Sequence, residues 1–187
     1  NEERRCYQNS GIEPELKKIG DSRLVLEHID ERKFVPVEIK KGRKLKKWGF
    51  YKDVIEADCY INVPIAKHHG LSMLTLGLKN IMGIIGGNRS TIHFNLGANL
   101  ADLNSVLPAH LTVIDATRIL LRNGPQGGRV SDVKVLHRLI ASTDIVAADA
   151  YATTLFDMRP EQIEATRMAY EMGLGQMNLD KVKLVTV

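Results

Sequence analysis

Runs with strand spacing alternate with runs of helical period along almost the whole chain, and few folds accommodate that alternation. "RLVLEHI" (23–29) and "FVPVEI" (34–39) have the spacing of strands. "FYKDVIEA" (50–57) reads as a short helix, and "CYINVPI" (59–65) as a buried strand ended by Pro64. In "LSMLTLGLKNIMGII" (71–85), Leu71, Leu74, Leu78, Ile81, Met82 and Ile85 fall on one helix face. "ANLADLNSVL" (98–107) is a further helix, "HLTVID" (110–115) and "VKVLHRLIAS" (133–142) are strands, and "TDIVAADAYATTLF" (143–156) is a helix that Thr143 or Asp144 would cap. "PEQIEATRMAYEMG" (160–173) is a helix with proline in its first turn and glycine at its end, and "KVKLVTV" (181–187) is a last strand. This order predicts an α/β layered domain with a central, mainly parallel or mixed sheet flanked by helices. Its strands include 60–63, 111–114, 135–140 and 182–187.

At 187 residues and 44% hydrophobic, the chain has material for one core, so 1–187 reads as a single α/β domain. No apolar run approaches the roughly 18 residues of a membrane span. The first residue is Asn1, and the chain reads as a processed piece lacking an upstream N-terminal strand or segment. Cys6 and Cys59 stand far apart without a CxxC partner, which excludes an iron–sulfur cluster built within this chain; buried free thiols are the expectation. The excess of 26 Lys and Arg over 22 Asp and Glu is concentrated in "KKGRKLKKW" (40–48). Between two strand-like runs, and without interleaved aromatics for base stacking, it reads as the solvated turn of a hairpin rather than a nucleic-acid surface.

Ligands in open α/β sheets gather beyond the carboxyl ends of strands. Two such ends here are polar: "CYINVPI" leads into Lys67, His68, His69 and Gly70, and "HLTVID" delivers Asp115, with "RNGPQGG" (122–128) and its Asn123 following. The stretch 64–94 adds Lys79, Asn80, Arg89 and His93 to an otherwise oily run. Adjacent histidines face opposite ways in an extended segment, so only one of His68 and His69 reaches a shared pocket. For His69 and Lys79 to meet one ligand, 67–70 is expected to be a loop, with Gly70 in a turn unfavourable to other residues, folding His69 back toward Lys79. Each residue also has a plain structural reading. Lys79 shares a helix stripe with Ser72 and Thr75, Asp115 caps a turn, and Asp149, set among alanines, is a buried hydrogen-bonding residue that holds a loop. "GIIGGNRST" (83–91) lacks the G-K-[ST] ending of a phosphate loop.

"INVPIAKHHGLSMLTLGLKNIMGIIGG", "LADLNSVLPAHLTVIDAT", "NGPQGG", "LIASTDIVAADAYATTLF" and "MGLGQMNLDKVKLV" together resemble the domain of unknown function 362 family in order and spacing, from Tyr60 onward. The resemblance implies an α/β domain, in some members fused to ferredoxin-like iron–sulfur modules or exported by the twin-arginine route. It also implies an N-terminal "IKPN"-type strand, which is absent here. A fainter likeness is to the nickel-pincer lactate racemases. His69 stands ten residues before Lys79, "KNI" follows, and Gly87 and "STIHF" come later, although "TLGL" replaces the S-G-G before the lysine. That likeness implies His69 as acid/base, Lys79 as cofactor tether and His93 as metal ligand.

Two function classes follow. In the first, His69 and Lys79 perform acid/base chemistry on a small carboxylate- or phosphate-bearing metabolite, with Lys67, Asn80, Arg89, Asp115 and Asn123 binding it. In the second, a non-catalytic domain carries a metal or cofactor for a redox, iron–sulfur partner, with His69, His93 and Asp115 as ligands. The expected partner is a small anion, a ferredoxin-like module is the alternative, and the compartment stays open between cytoplasm and export.

Overall fold

The computed structural model describes residues 2–187, with side chains from Arg5 onward. The chain divides into two compact units, 1–33 and 34–187. In the first, α1 (Glu2–Asn9) and α2 (Ile12–Ile19) follow each other, and α2 is bracketed by Gly11 and Gly20, both left-handed. Residues 23–29, expected as a strand, are irregular. Their alternation is real, but β-spacing forms a ladder only where a neighbouring edge is available to pair.

The second unit opens with the expected hairpin, β1 (Phe34–Glu38) and β2 (Lys47–Tyr51), paired antiparallel with Phe34 opposite Tyr51. Short helix α3 (Lys52–Ile55) follows. A mixed five-stranded sheet is then laid down by β3 (Ile61–Asn62), β4 (Ile65–His69), β5 (Met73–Thr75), β6 (Leu111–Leu120) and β7 (Val133–Ser142). Strands β3 and β4 run parallel to β6, whereas β5 pairs antiparallel with β4 and β7 antiparallel with β6. Helices α4 (Gly77–Asn80) and α5 (Leu96–Asn104) lie between β5 and β6 in sequence, and α6 (Ile145–Thr154) and α7 (Glu164–Glu171) follow β7. This is a layered α/β fold. Asp144 caps α6 by accepting the Ala147 N–H at 2.9 Å, and its other oxygen accepts from Gln176.

Two apolar clusters hold the unit together. One joins Phe50 of the hairpin to Leu78, Ile81, Leu100 and Val146, and the other packs Ala66, Leu74, Ile114, Ala116 and Ile119 of the sheet against Ala152 of α6. Residues 59–65, expected as one buried strand, hold only β3 and the first residue of β4, and they are buried on one face: Asn62 is buried, while Ile61, Val63 and Ile65 are more than half exposed. A continuous apolar run reads as two-sided burial, but packed helices cover a single side of β3 here.

Three further expectations are corrected. Residues 71–85 do not form one helix: Met73–Thr75 is a strand, and the chain turns helical only at Gly77. Leu74 and Leu76 satisfy strand alternation as well as helical spacing, and cross-strand pairing with β4 selects the former. Of residues 67–70 only Gly70 lies in a turn, because Lys67, His68 and His69 pair with Thr75, Leu74 and Met73, and the left-handed residue of this hairpin is Met73 (φ 63°), not Gly70. Residues 182–187 are not a strand; they flank a cavity of about 600 Å³ shared with residues 137–142 of β7. Cys6 and Cys59 are free, as expected, but exposed.

The basic turn carries its structural role in the backbone. Lys40, Lys41, Lys44 and Lys46 are exposed, while the N–H groups of residues 43–45 point at a buried carboxylate, that of Asp102. Replacing those four lysines together with glutamine is expected to move the melting temperature by less than about 3 °C, because exposed charges contribute little. A larger drop in a thermal melt would assign the side chains a structural part.

Candidate functional site

Alternation along β4 puts Lys67 and His69 on one side of the sheet and Ala66 and His68 on the other. Ala66 lies in the sheet–helix core, and the His68 Nδ1 accepts the Gly124 N–H at 3.1 Å. A Cβ on Gly124 would meet the His68 carbonyl oxygen at 2.3 Å, so glycine lets the loop close on the strand. On the opposite side Lys67 stands across from Thr75, and His69 across from Met73. The Thr75 hydroxyl is buried with no hydrogen-bond partner among the described residues.

His69 is nine-tenths buried, and its Nδ1 accepts the N–H groups of Leu71 at 3.1 Å and Ser72 at 3.3 Å. An accepting Nδ1 places the proton of the neutral ring on Nε2. Burial first, then the charges of Lys79, His93, His68 and Lys67, pushes the imidazole down to about 4. The His93 ring stacks beside it, with centroids 6.5 Å apart and planes at 17°.

The β4–β5 reversal followed by α4 brings Lys79 to this side. Lys79 is nine-tenths buried, and among the described residues its ammonium finds only the Met82 sulfur, at 3.3 Å. Burial, and secondarily Lys67, pushes its pKa down. Arg89 reaches the same neighbourhood by donating to the Met82 carbonyl oxygen at 3.2 Å. Asn80 is exposed but tied: its amide donates to Asn62 Oδ1 at 2.7 Å, and Asn62 in turn donates to the Gly77 carbonyl oxygen.

Asp115 and Asn123 have local partners instead. Asp115 Oδ1 accepts from the N–H and hydroxyl of Thr117 within its own strand. Asn123 donates to Asp132, which also takes Arg122 and the Arg129 N–H, and these partners hold the Asp132 carboxyl well below its usual range. Asp102 accepts from residues 43–45, and Asp149 accepts the N–H groups of Gly77 and Leu78. Each of these acids is occupied by the chain's own donors, and no ion pair to an acid is made by Lys67, Lys79 or His69 among the described residues. The site gathers Lys67, His69, Lys79 and His93, with Arg89 at its margin, and it is cationic without internal compensation.

Thr75 and Met82 were not singled out by sequence reasoning as site residues. Their contribution depends on the strand register of 73–75 and on the turn at 81–83, neither of which leaves a periodic signal. Asp149 was legible as a buried hydrogen-bonding residue, and the structure adds what it holds.

Among known proteins, the chain is 27% identical over 132 residues to a thylakoid-associated protein of Synechocystis sp.; the match covers 66% of this chain and 40% of that relative. No solved structure matches the chain. The domain of unknown function 362 (DUF362) matches residues 1–154, more than four-fifths of the length and including every residue of the cationic cluster, and the chain therefore belongs to that family.

Proposed function

We propose that this domain binds a small oxyanion, the carboxylate or phosphate group of a metabolite, against Lys79, Lys67 and His69. One observation carries the reading: an ammonium nine-tenths buried whose only partner among the described residues is a thioether. A charge removed from water without a counterion is costly, and a bound anion removes that cost. The Lys79 ammonium and the His69 Nε2–H are donors, and the Thr75 hydroxyl, unpartnered among the described residues, can donate as well. A fully deprotonated oxygen ligand complements such a set.

His69 is neutral at pH 7 in the free protein and acts first as a donor. A bound anion offsets the repulsion from Lys79 and Lys67, raising the imidazole toward the range where it exchanges protons at neutral pH. Acid/base chemistry on the bound metabolite rests on that coupling.

A cation or nickel-pincer centre on His93 and Lys79 has less support. The donor set does not fit a divalent ion: with Nδ1 of His69 already accepting two N–H groups, coordination through Nε2 would require an imidazolate, and the nearby charges are positive. Among the described residues, no three His, Cys, Asp or Glu side chains come together as a metal site. A redox carrier role beside a ferredoxin-like module would need its ligands from elsewhere.

The test is a pH titration of the ring by 15N-detected NMR, with and without inorganic phosphate. Free His69 should keep an unprotonated Nδ1 and titrate at about 4, and phosphate should move that midpoint upward. Because the folded value lies below the unfolded one, its contribution to stability is present above about 6.5 and is lost as pH falls toward about 4. A midpoint unmoved by phosphate, with no phosphate bound, would sink the anion reading.

A further inference from the structure

We infer that Asp149 is the positioning residue of this site, acting through the first turn of α4 to aim Lys79. The inference rests on the anion reading and adds a residue that no ligand touches. Lys79 sits on a helix of four residues, Gly77–Asn80, far too short to hold its own direction in water. Its orientation must come from what grips its ends. At the start, the two oxygens of one carboxylate divide the work: Asp149 Oδ1 accepts the Gly77 N–H at 2.7 Å and Oδ2 the Leu78 N–H at 3.0 Å.

The grip is close. A Cβ on Gly77 would stand 2.8 Å from Asp149 Oδ1, 3.0 Å from Ile145 and 3.1 Å from Thr112, so the helix start fits this carboxylate only as glycine. Asp149 is itself held on the buried side of α6, where its carbonyl oxygen accepts the Thr153 hydroxyl. The Asn62 amide on the Gly77 carbonyl and the Asn104 amide on the Leu78 carbonyl complete the clamp around the two residues before Lys79. Burial holds the carboxyl up at about 7, against the pull of the two N–H groups. A carboxylate placed in so unfavourable a position, beside neither Lys67 nor Lys79 by ion pairing, is spent on geometry.

Asp149→Asn keeps one acceptor for Gly77 but turns an N–H₂ toward the Leu78 N–H, and Asp149→Ala removes both acceptors. The two variants are to be compared with wild type for inorganic phosphate affinity and, without phosphate, for the NOE between the Lys79 side-chain ε protons and the Met82 methyl. The expected result is a graded loss of affinity, about tenfold for asparagine and more for alanine, on the scale of one or two charge-assisted hydrogen bonds. The NOE should weaken in the same order, and Gly77→Ala, which displaces the same turn from the other side, should add little to Asp149→Asn. Folded variants with wild-type affinity and an unchanged NOE would overturn the inference. Should the variants not fold, hydrogen exchange on wild type decides: phosphate should slow exchange at Gly77 and Leu78 while leaving residues 43–45 unchanged, and equal slowing at both would overturn it. If wild type binds no phosphate, the anion reading fails alone, and the ligand-free NOE still decides whether Asp149 aims Lys79.

Discussion

Replacement of Asp102 by alanine is expected to cost about 3 kcal/mol of stability, the largest single loss among surface-to-core contacts of the hairpin. The carboxylate is fully buried on α5, with Oδ1 accepting from Arg43 at 2.7 Å and Oδ2 from Lys44 at 2.7 Å and Leu45 at 2.8 Å. Successive N–H groups turned toward one anion form a concave nest, and each bond is charge-assisted. Gly42 makes the nest reachable, since a Cβ there would stand 1.9 Å from the Leu45 carbonyl oxygen. Without the carboxylate three donors lose their acceptor together, and the hairpin loses its tie to α5. Asparagine, which keeps one accepting oxygen, should lose about half as much. Urea denaturation with an unchanged m-value checks both figures. A loss below about 0.5 kcal/mol for the alanine variant would mean that water replaces the nest freely.

The same turn illustrates what a sequence exposes and what it hides. The hairpin was legible because two alternating runs flank a glycine-containing turn, and the lysines were legible as solvated. The acceptor for the turn's backbone lies about sixty residues away, on a helix whose period marks Asp102 as nothing special. The strand read at 110–115, which the structure continues to Leu120, the strand at 133–142, the helix read at 98–107, which runs instead over Leu96–Asn104, and a cap at Thr143 or Asp144, which is Asp144, were likewise legible from local pattern. Residues 71–85 were not, because their apolar spacing satisfies two periods, and only pairing with β4 decides between them. That choice also shaped the site. A continuous helix would have separated His69 from Lys79 by roughly 15 Å at about 1.5 Å per residue, whereas a strand reversal returns the chain so that Lys79 acts on His69. The residue types of the cluster could be read in advance, but their common side of the sheet is a property of register.

Lys79→Ala is expected to abolish phosphate binding, a loss of at least about a hundredfold, while the melting temperature stays within about 3 °C of wild type. The two halves of that expectation have different causes. Affinity falls because the buried ammonium, which among the described residues has only a thioether as partner, is the charged donor that an anion would take up. Stability holds because removing the side chain forfeits some packing but also removes the cost of an uncompensated charge, and the two terms oppose each other. The pH dependence separates this from a plain packing defect. The lysine pKa is depressed in the folded protein by burial and by Lys67, so the unfolded chain binds more protons between the folded value and 10.5. Wild type should therefore gain stability as pH rises through that window, and the alanine variant should lack the gain. Isothermal titration with inorganic phosphate and denaturation at several alkaline pH values measure both. Retained phosphate affinity in the variant would remove Lys79 from the site, and a stability loss of several kcal/mol at pH 7 would make it a structural residue of the β5–α4 junction.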